Sequence, residues 1–527
     1  MNLQLVSRLL GTISWLIGLT MAFSLPAAWP GVGGQATFEV RGFGALVTSI
    51  VVCLFVGIVF RYLGRNAPET LFRKEAMAIV GLSWVLATIL GAMPYYLAEV
   101  KFRSDNADKP VAMGIAECLF ESQSGFSTTG ATVLSNIENE AWVPRCLLFW
   151  RSSTHFLGGL GIIVLFVAVL GQGSAGKALM RAEMPGPSKE GSHERMQHTA
   201  LIFAAIYCGL NLILTVALKL EGMNWFEAIC HAFGTMATGG FSTLDKSLGG
   251  FNSKAIEYTV ILFMILAGTN FTLMYLTLLG KPAQLLKDSE WRSYMGIIFG
   301  STALILAFGI WVSNDFNVGG HLAKGEHYET AFRDSLFQVV ALVTTTGFGT
   351  ADFDLWNNFS RALLIVLMFV GGCAGSTGGG MKVIRHILFV KILRREVEHS
   401  FHPSVVRHIR LSGEPIVDPD LPRNILLYFG LVSLIFTMST QVLIGIEPDS
   451  TWVDSGQPVS NKLVDSASAV ASTLNNIGPG VGIIGSTQNY AAFTAPSKLL
   501  FTFLMMLGRL ELFAVLVLLI PSFWRTR

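Results

Sequence analysis

Four short polar segments lie within apolar stretches of this sequence, and their residues could coordinate a small cation. They occupy residues 127–132, 237–242, 345–350 and 476–480 and are rich in glycine and in threonine or other small polar residues. A dehydrated alkali cation needs oxygens in place of its hydration shell, and converging backbone carbonyls provide them without fixed charge. None of the segments contains a carboxylate, which divalent-cation sites usually recruit, or an arginine or lysine. The sequence therefore predicts a site for a monovalent cation, with potassium as the first candidate.

The segments recur at a nearly regular interval. Their first glycines are at positions 130, 239, 347 and 478, so that the first two intervals are almost equal and the third is somewhat longer. Glycine lets the backbone turn and approach an ion closely, and threonine hydroxyls add oxygens. Alignment on these glycines predicts a selectivity filter of three residues per segment: Thr128, Thr129 and Gly130; Ala237, Thr238 and Gly239; Thr345, Thr346 and Gly347; Asn476, Ile477 and Gly478.

A short apolar stretch precedes each segment and must position it. These stretches, 116–126, 225–236, 331–343 and 464–474, are too short to cross about 30 Å of hydrocarbon at about 1.5 Å per residue. Each has an acid near its start, at an almost constant offset before the aligned glycine: Glu117, Glu227, Asp334 and Asp465. A carboxylate there complements the positive end of a helix whose negative end faces the segment. Glycine and threonine could instead serve close helix packing, but the recurring pattern favours re-entrant pore helices.

The composition places these elements in a membrane. The chain has 527 residues, of which 52% are hydrophobic and 14% charged, and a soluble core cannot absorb that much apolar surface. Ten apolar runs approach the length of a membrane crossing. They are 11–29, 42–62, 75–97, 147–170, 199–220, 257–280, 295–313, 359–373, 424–446 and 499–521.

The predicted fold class is an all-α polytopic membrane protein. It has four membrane–pore loop–membrane repeats around a pseudo-fourfold pore and two extra N-terminal transmembrane helices. The expected units are 1–65 for the N-terminal helix pair and 73–170, 199–280, 293–395 and 422–522 for the four repeats.

Positive residues predict the orientation of the chain. Alternate loops carry Arg and Lys, including Arg73, Lys177, Lys287 and Lys382, and these loops should face the cytoplasm, as should both termini. Arg151 and His155 are expected near the outer surface, where snorkelling explains such residues. His231 is expected to be a hydrogen-bonded structural histidine. The six cysteines show no metal-type spacing and are interpreted as small hydrophobic residues.

Several motifs together resemble the Trk/Ktr/HKT superfamily of potassium transporters. They are the Thr-Gly segments, residues 181–187, the glycine-rich run 371–382 and residues 508–511. The likeness covers nearly the whole chain, and the two extra N-terminal helices resemble the TrkH branch. It implies a pore of four membrane–pore–membrane units, a homodimer and a TrkA-like cytosolic nucleotide-binding regulatory subunit. Four aligned glycines imply preference for potassium over sodium, although the fourth segment lacks the threonine of the others.

A gate is predicted below the filter. A helix from 359 to 395 would be too long for one crossing, and residues 371–380 hold six glycines, which oppose helix formation. This run is either a flexible kink or an intramembrane gating loop, as the resemblance implies, with Gly375, Ser376, Thr377, Gly378 and Gly379 as its candidate residues. Arg509 lies in an apolar helix, either paired with Glu511, Asp352 or another acid, or on the pore axis as part of the gate.

Other functional classes fit less well. The chain has no HExxH or GxSxG motif and no paired intramembrane acids, so an intramembrane enzyme is disfavoured. A sodium-permeable or cation-coupled transporter of the same fold is the alternative to potassium uptake. The basic loops 171–198 and 381–423 could bind membrane lipid or a cytosolic regulator. No Rossmann or P-loop pattern and no cofactor site is found, so potassium is expected as transported ion only, in a bacterial inner membrane without a nucleic-acid partner.

Overall fold

The fold is known from a computed structural model, which describes residues 1–67, 72–103, 110–161, 193–311, 324–402, 410–411, 414–415, 420–510 and 512–525. The helices are α1 Leu3–Ala22, α2 Val40–Leu63, α3 Arg73–Leu97, α4 Ile115–Phe126, α5 Arg145–Leu160, α6 His193–Leu220, α7 Trp225–Met236, α8 Lys254–Ala267, α9 Phe271–Leu278, α10 Pro282–Lys287, α11 Ser289–Trp311, α12 Lys324–Val343, α13 Asn358–Leu367, α14 Val383–Phe401, α15 Leu421–Ile446, α16 Ser450–Asp454, α17 Lys462–Leu474, α18 Ala495–Arg509, α19 Phe513–Leu516 and α20 Pro521–Trp524. Two antiparallel strand pairs join Lys101–Phe102 to Val111–Ala112 and Arg410–Leu411 to Glu414–Pro415.

Long apolar helices dominate the described part of the chain. Six are long and apolar enough to cross a membrane: those that begin at Leu3, Val40, Lys74, His198, Ser289 and Leu421. They coincide with six of the ten predicted crossings, which confirms a multi-pass helical architecture. Residues 162–170 of the predicted crossing 147–170, the motif 181–187 and Glu511 lie outside the described residues.

Two predicted crossings are interrupted. The run 257–280 is not one helix, because α8 and α9 are bent by 103° around residues 268–270. The run from 359 ends as a helix at Leu367 and resumes at Val383, as its glycines predict. At the bend, the carbonyl of Gly268 accepts from the N–H of Cys373 (2.8 Å) and Gly375 accepts from Phe271 (3.0 Å). The two interruptions thus satisfy each other's backbone groups, which membrane interiors require.

Helices are present at all four predicted positions, as α4, α7, α12 and α17, but α12 has 20 residues and is longer than the predicted stretch 331–343. Each packs against the long helix before it and the helix after it. Glu117 accepts from the N–H of Gly114 (3.1 Å), and Glu227 forms a reciprocal cap with Asn224. Asp465 also lies in the first turn of its helix. The prediction fails for Asp334, because α12 begins well before it, at Lys324, and this acid lies in its middle.

Candidate cation site

The same backbone conformation recurs in all four predicted filter loops. In each loop a residue other than glycine has positive φ, between 52° and 59°, and two residues later a glycine has positive φ, between 73° and 103°. We number the three residues of each loop as filter positions 1, 2 and 3. Position 1 comprises Thr128, Thr238, Thr345 and Asn476; position 2 comprises Thr129, Gly239, Thr346 and Ile477; position 3 comprises Gly130, Gly240, Gly347 and Gly478.

The second loop therefore corrects the alignment made from sequence. The sequence aligns Gly239 with Gly130, but the structural counterpart of Gly239 is Thr129, and Gly240 occupies position 3. Ala237 precedes position 1 and corresponds to Ser127. Two consecutive glycines leave the sequence alignment ambiguous by one position. The sequence does contain a signal for the correct register. In that register the four upstream acids, at 117, 227, 334 and 465, all stand at the same offset before the position 3 glycine.

The position 3 glycines close a ring of contacts between the loops. A methyl group on Gly130 would collide with the carbonyl oxygen of Gly239 in the next loop. The same holds for Gly240 and Thr346 and for Gly347 and Ile477, and a methyl group on Gly478 would lie 2.6 Å from the carbonyl oxygen of Thr129. Each position 3 glycine therefore faces the position 2 carbonyl of the following loop. Only glycine allows this approach, both for space and because of its positive φ.

All four position 3 glycines line one cavity of about 70 Å³. Its wall also includes Asp245, Arg151 and the polar side chains of Ser486 and Gln488. Residues that follow the filter loops line this cavity, whereas the short helices precede them. The cavity therefore lies at the mouth of the filter, on the side where the chain continues after each loop.

Hydroxyl groups stiffen the first and third loops. Ser127 Oγ and Thr129 Oγ1 are 2.7 Å apart, and Thr344 Oγ1 and Thr346 Oγ1 are also 2.7 Å apart. The fourth loop is tied to the first, since Asn476 Nδ2 donates to Thr129 Oγ1 at 3.0 Å. Asn476 thus replaces threonine with a side chain that bridges two loops.

A buried ion pair supports the first two loops from behind. Arg151 Nε lies 2.6 Å from Glu121 Oε1, and both side chains are at most 3% exposed. Arg151 also donates to the carbonyl of Ser242 (3.0 Å), and Glu121 accepts from Thr132 Oγ1 (2.9 Å). The expectation that Arg151 snorkels to the surface is therefore wrong. Hydropathy alone suggests an interfacial arginine, because it does not reveal that a partner on another helix, far along the chain, neutralises the charge.

The two histidines near the filter are both buried. His155, expected at the outer surface, is instead fully buried and stacks on Phe241 with ring centroids 4.0 Å apart. His231 bonds to the carbonyl of Glu227 (2.8 Å) and to Ser242 Oγ (2.9 Å). The prediction of a structural, hydrogen-bonded His231 is confirmed.

The glycine-rich run 371–380, here called the intramembrane loop, docks directly below the filter. The N–H of Gly379 donates to Thr345 Oγ1 at filter position 1 (2.8 Å). Thr377 Oγ1 donates to the carbonyl of Met236 (2.9 Å), at the end of the second short helix. A methyl group on Gly379 would lie 2.7 Å from Cβ of Asn476. The loop therefore contacts the second, third and fourth filter elements at once.

Two cationic side chains hold this loop. Arg509 donates to the carbonyl of Thr377 (2.8 Å) and to that of Gly158 at the end of α5. Lys382 is 3% exposed, contacts the carbonyl of Gly378 and lies 3.3 Å from Ser376 Oγ. Its assignment to a cytoplasmic loop is wrong, because the chain does not leave the protein interior until after this residue. Asp352, considered as a partner for Arg509, instead caps the turn at Asp354 (3.1 Å) beyond the filter.

Two carboxyl groups near the mouth have raised pKa values. Burial raises the pKa of Asp245, and the nearby Glu138 adds to the rise. Burial also raises the pKa of Asp354 to about 6, although the backbone N–H of Gly482 and the charge of Arg361 partly oppose this. Gly482 follows the fourth filter loop and donates to both Asp354 oxygens at 3.1 Å. Asp354 therefore joins the third repeat to the fourth loop.

The fold and the site define a class: polytopic helical membrane proteins in which four glycine-containing loops converge on one cavity. The model of the TrkH family, described as "Cation transport protein", matches residues 45–526, and the chain belongs to this family. It is 34% identical to the Trk system potassium uptake protein TrkH of Halomonas elongata over 530 residues, and 34% identical to that of Escherichia coli (strain K12) over 532 residues, covering 100% of each chain. The crystal structure of the potassium transporter TrkH from Vibrio parahaemolyticus superposes with a TM-score of 0.81 at 31% identity, covering 100% of both chains.

Proposed function

We propose that this protein takes up potassium across the cytoplasmic membrane through a filter of backbone carbonyls. The observation that carries the proposal is the closed ring in which each position 3 glycine faces the position 2 carbonyl of the next loop. Such a ring surrounds an axis with oxygens and contains no carboxylate, which suits a dehydrated monovalent cation. The relatives from Halomonas elongata and Escherichia coli are named as potassium uptake proteins, which supports the same substrate here.

The proposed potassium ligands are the carbonyls of filter positions 1 to 3, with the second loop in its corrected register. Thr238, Gly239 and Gly240 take part, while Ala237 lies outside the set. The four repeats are proposed to surround a pseudo-fourfold pore with the unit bounds predicted from sequence, preceded by the N-terminal helix pair. The packing of each short helix between its two neighbours supports this arrangement.

The intramembrane loop is the proposed gate. Gly375, Ser376, Thr377, Gly378 and Gly379 lie between the filter and the cytoplasmic side, and Arg509 and Lys382 hold them there. Release of the loop from Arg509 and Thr345 would open the path.

The assembly is proposed to match that of a Trk system. The chain would form a homodimer in the inner membrane with both termini in the cytoplasm, and a TrkA-like nucleotide-binding subunit would control it. Lys391, Arg394 and Arg395 of α14 follow the intramembrane loop and lie on its cytoplasmic side in this orientation. A regulator that binds α14 could therefore pull directly on the gate.

Rubidium and sodium uptake into liposomes that contain the purified protein tests the proposal. Wild type should take up rubidium, in competition with potassium, in preference to sodium. Gly240→Ser should stop uptake or admit sodium, because its side chain would meet the carbonyl of Thr346. Gly209→Ser is the matched control, since a side chain there meets no atom within 4 Å. Absence of any alkali-cation uptake by folded wild type would overturn the proposal, and uptake that requires an imposed proton or sodium gradient would support the coupled alternative.

A further inference from the structure

The second filter loop differs from the others at position 2. Thr129 and Thr346 fill this position in the first and third loops and are held by hydroxyl pairs, and Ile477 fills it in the fourth. Gly239 has no side chain, and Ala237 before it has no hydroxyl. The carbonyl of Gly239 nevertheless belongs to the ring, because Gly130 packs against it. The N–H of Gly239 donates to the carbonyl of Gly234 (2.7 Å), as the equivalent N–H groups do in the other loops, but the second loop supplies no side chain of its own at this position.

The imidazole of His155 occupies the space that a position 2 side chain would take. A methyl group on Gly239 would lie 2.6 Å from both Cγ and Cε1 of His155. The ring is fully buried and comes from α5, which belongs to the first repeat. The second loop therefore receives its missing side chain from the neighbouring repeat.

The position of this imidazole is itself well determined. Its ring is nearly parallel to that of Phe241, at 16° and with centroids 4.0 Å apart. The guanidinium carbon of Arg151, one turn earlier on α5, lies 3.4 Å from the centroid of Phe241. Two groups so close to one centroid cannot share a face, so Phe241 lies between them. The ion pair of Arg151 with Glu121 fixes this stack to α4.

We infer that His155 is a positioning residue that determines selectivity by setting the location of the Gly239 carbonyl. This inference rests on the proposed filter function. A threonine side chain does the same work within the first and third loops, whereas here an aromatic ring does it from outside. Close packing transmits such a constraint, because interiors of this density have little free volume. Loss of the imidazole would leave a space next to the carbonyl of Gly239. This carbonyl could then relax around a smaller ion.

The test removes the side chain of His155 and adds a side chain at Gly239, singly and together. His155→Ala should lower the preference for rubidium over sodium by about tenfold, which corresponds to about 1.4 kcal/mol between the two ions. Gly239→Thr alone should collide with His155 and reduce uptake. The double variant His155→Ala/Gly239→Thr should recover both uptake and preference, since the new side chain fills the space. His155→Phe, which keeps a ring, should retain most of the preference.

His231→Ala is the matched control, because His231 is an equally buried histidine that supports Ser242 rather than Gly239. Gly239→Thr should not rescue it. Thermal unfolding of each variant in detergent separates misfolding from loss of selectivity. If wild type is selective and folded His155→Ala keeps the same preference, or if the double variant is no better than Gly239→Thr, the inference is overturned while the proposed function stands. If wild type moves no alkali cation, the proposed function itself fails.

Discussion

Arg509 and Thr377 connect two parts of the proposed gate. Nη1 of Arg509, on the last turn of α18, donates to the carbonyl of Thr377 at 2.8 Å, within the intramembrane loop. The second amino group contacts the carbonyl of Gly158, at the end of α5. One side chain thus joins the fourth repeat, the loop of the third and the helix of the first. While both bonds persist, Thr377 of the loop stays linked to the end of α5.

Replacement of Arg509 by alanine should increase uptake. Hydrogen bonds to charged groups contribute about 1.5–3 kcal/mol each, so loss of this bridge favours displacement of the loop. Rubidium uptake into liposomes should rise about tenfold, the effect of about 1.4 kcal/mol. Arg509→Lys keeps the charge without the planar fork and should give an intermediate rate. Unchanged uptake by a folded alanine variant would contradict this role.

Lys382 should restrain the same loop from its C-terminal end. Its amino group contacts the carbonyl of Gly378 and lies 3.3 Å from Ser376 Oγ. Lys382→Met should raise rubidium uptake, and its effect should be less than additive with Arg509→Ala because both act on one element. Lys391→Met, on α14 and beyond the loop, is the control and should match wild type. Additive effects would mean that the two cations act on separate barriers.

The ion pair of Glu121 and Arg151 should be important for stability. Both side chains are buried, and loss of one partner of such a pair costs about 3–5 kcal/mol. Glu121→Leu should therefore lower the thermal unfolding temperature in detergent strongly. Glu140→Gln removes the half-exposed partner of Arg145, and such pairs contribute at most about 1 kcal/mol. Equal shifts for the two variants would be inconsistent with the buried geometry.

Asp354 should make stability depend on pH. Its pKa of about 6 lies above its ordinary value of 3.8, so the folded protein binds more protons than the unfolded chain between these values. Its contribution to stability therefore falls as pH rises through this window and is constant above it. Arg361, Asp352 and Asp465 are the charged groups that act on it.

Asp354→Asn removes this titration and provides the measurement. Thermal unfolding of wild type and variant should be compared below about pH 4, where both states bind the proton, and above about pH 7. The variant should gain stability relative to wild type at the higher pH and resemble it at the lower pH. A difference that does not change with pH would show that Asp354 is not the titrating group.

The position of the intramembrane loop illustrates a partial success of sequence analysis. The six glycines of the run 371–380 predict the interruption after Leu367, because glycine opposes helix formation wherever it lies. The matching break in residues 268–270 is not predicted, since Gly268, Thr269 and Asn270 are a weak signal in an apolar run. That break forms because the loop supplies hydrogen bonds to Gly268 and Phe271 from a distant part of the sequence.

Local chemistry was sufficient for the features that each segment determines by itself. Apolar length predicts the six helices of spanning length among the described residues, and the recurring glycine and threonine segments predict four loops of one type. The choice between Gly239 and Gly240 has a signal in the constant offset of the four acids, and the tertiary structure decided it. Only the tertiary structure decided that Arg151 and Lys382 are buried with partners and that His155 fills the place of a side chain at Gly239. These relationships depend on contacts between distant segments. Periodicity and composition describe the neighbours of a residue along the chain, whereas burial and pairing depend on its neighbours in space.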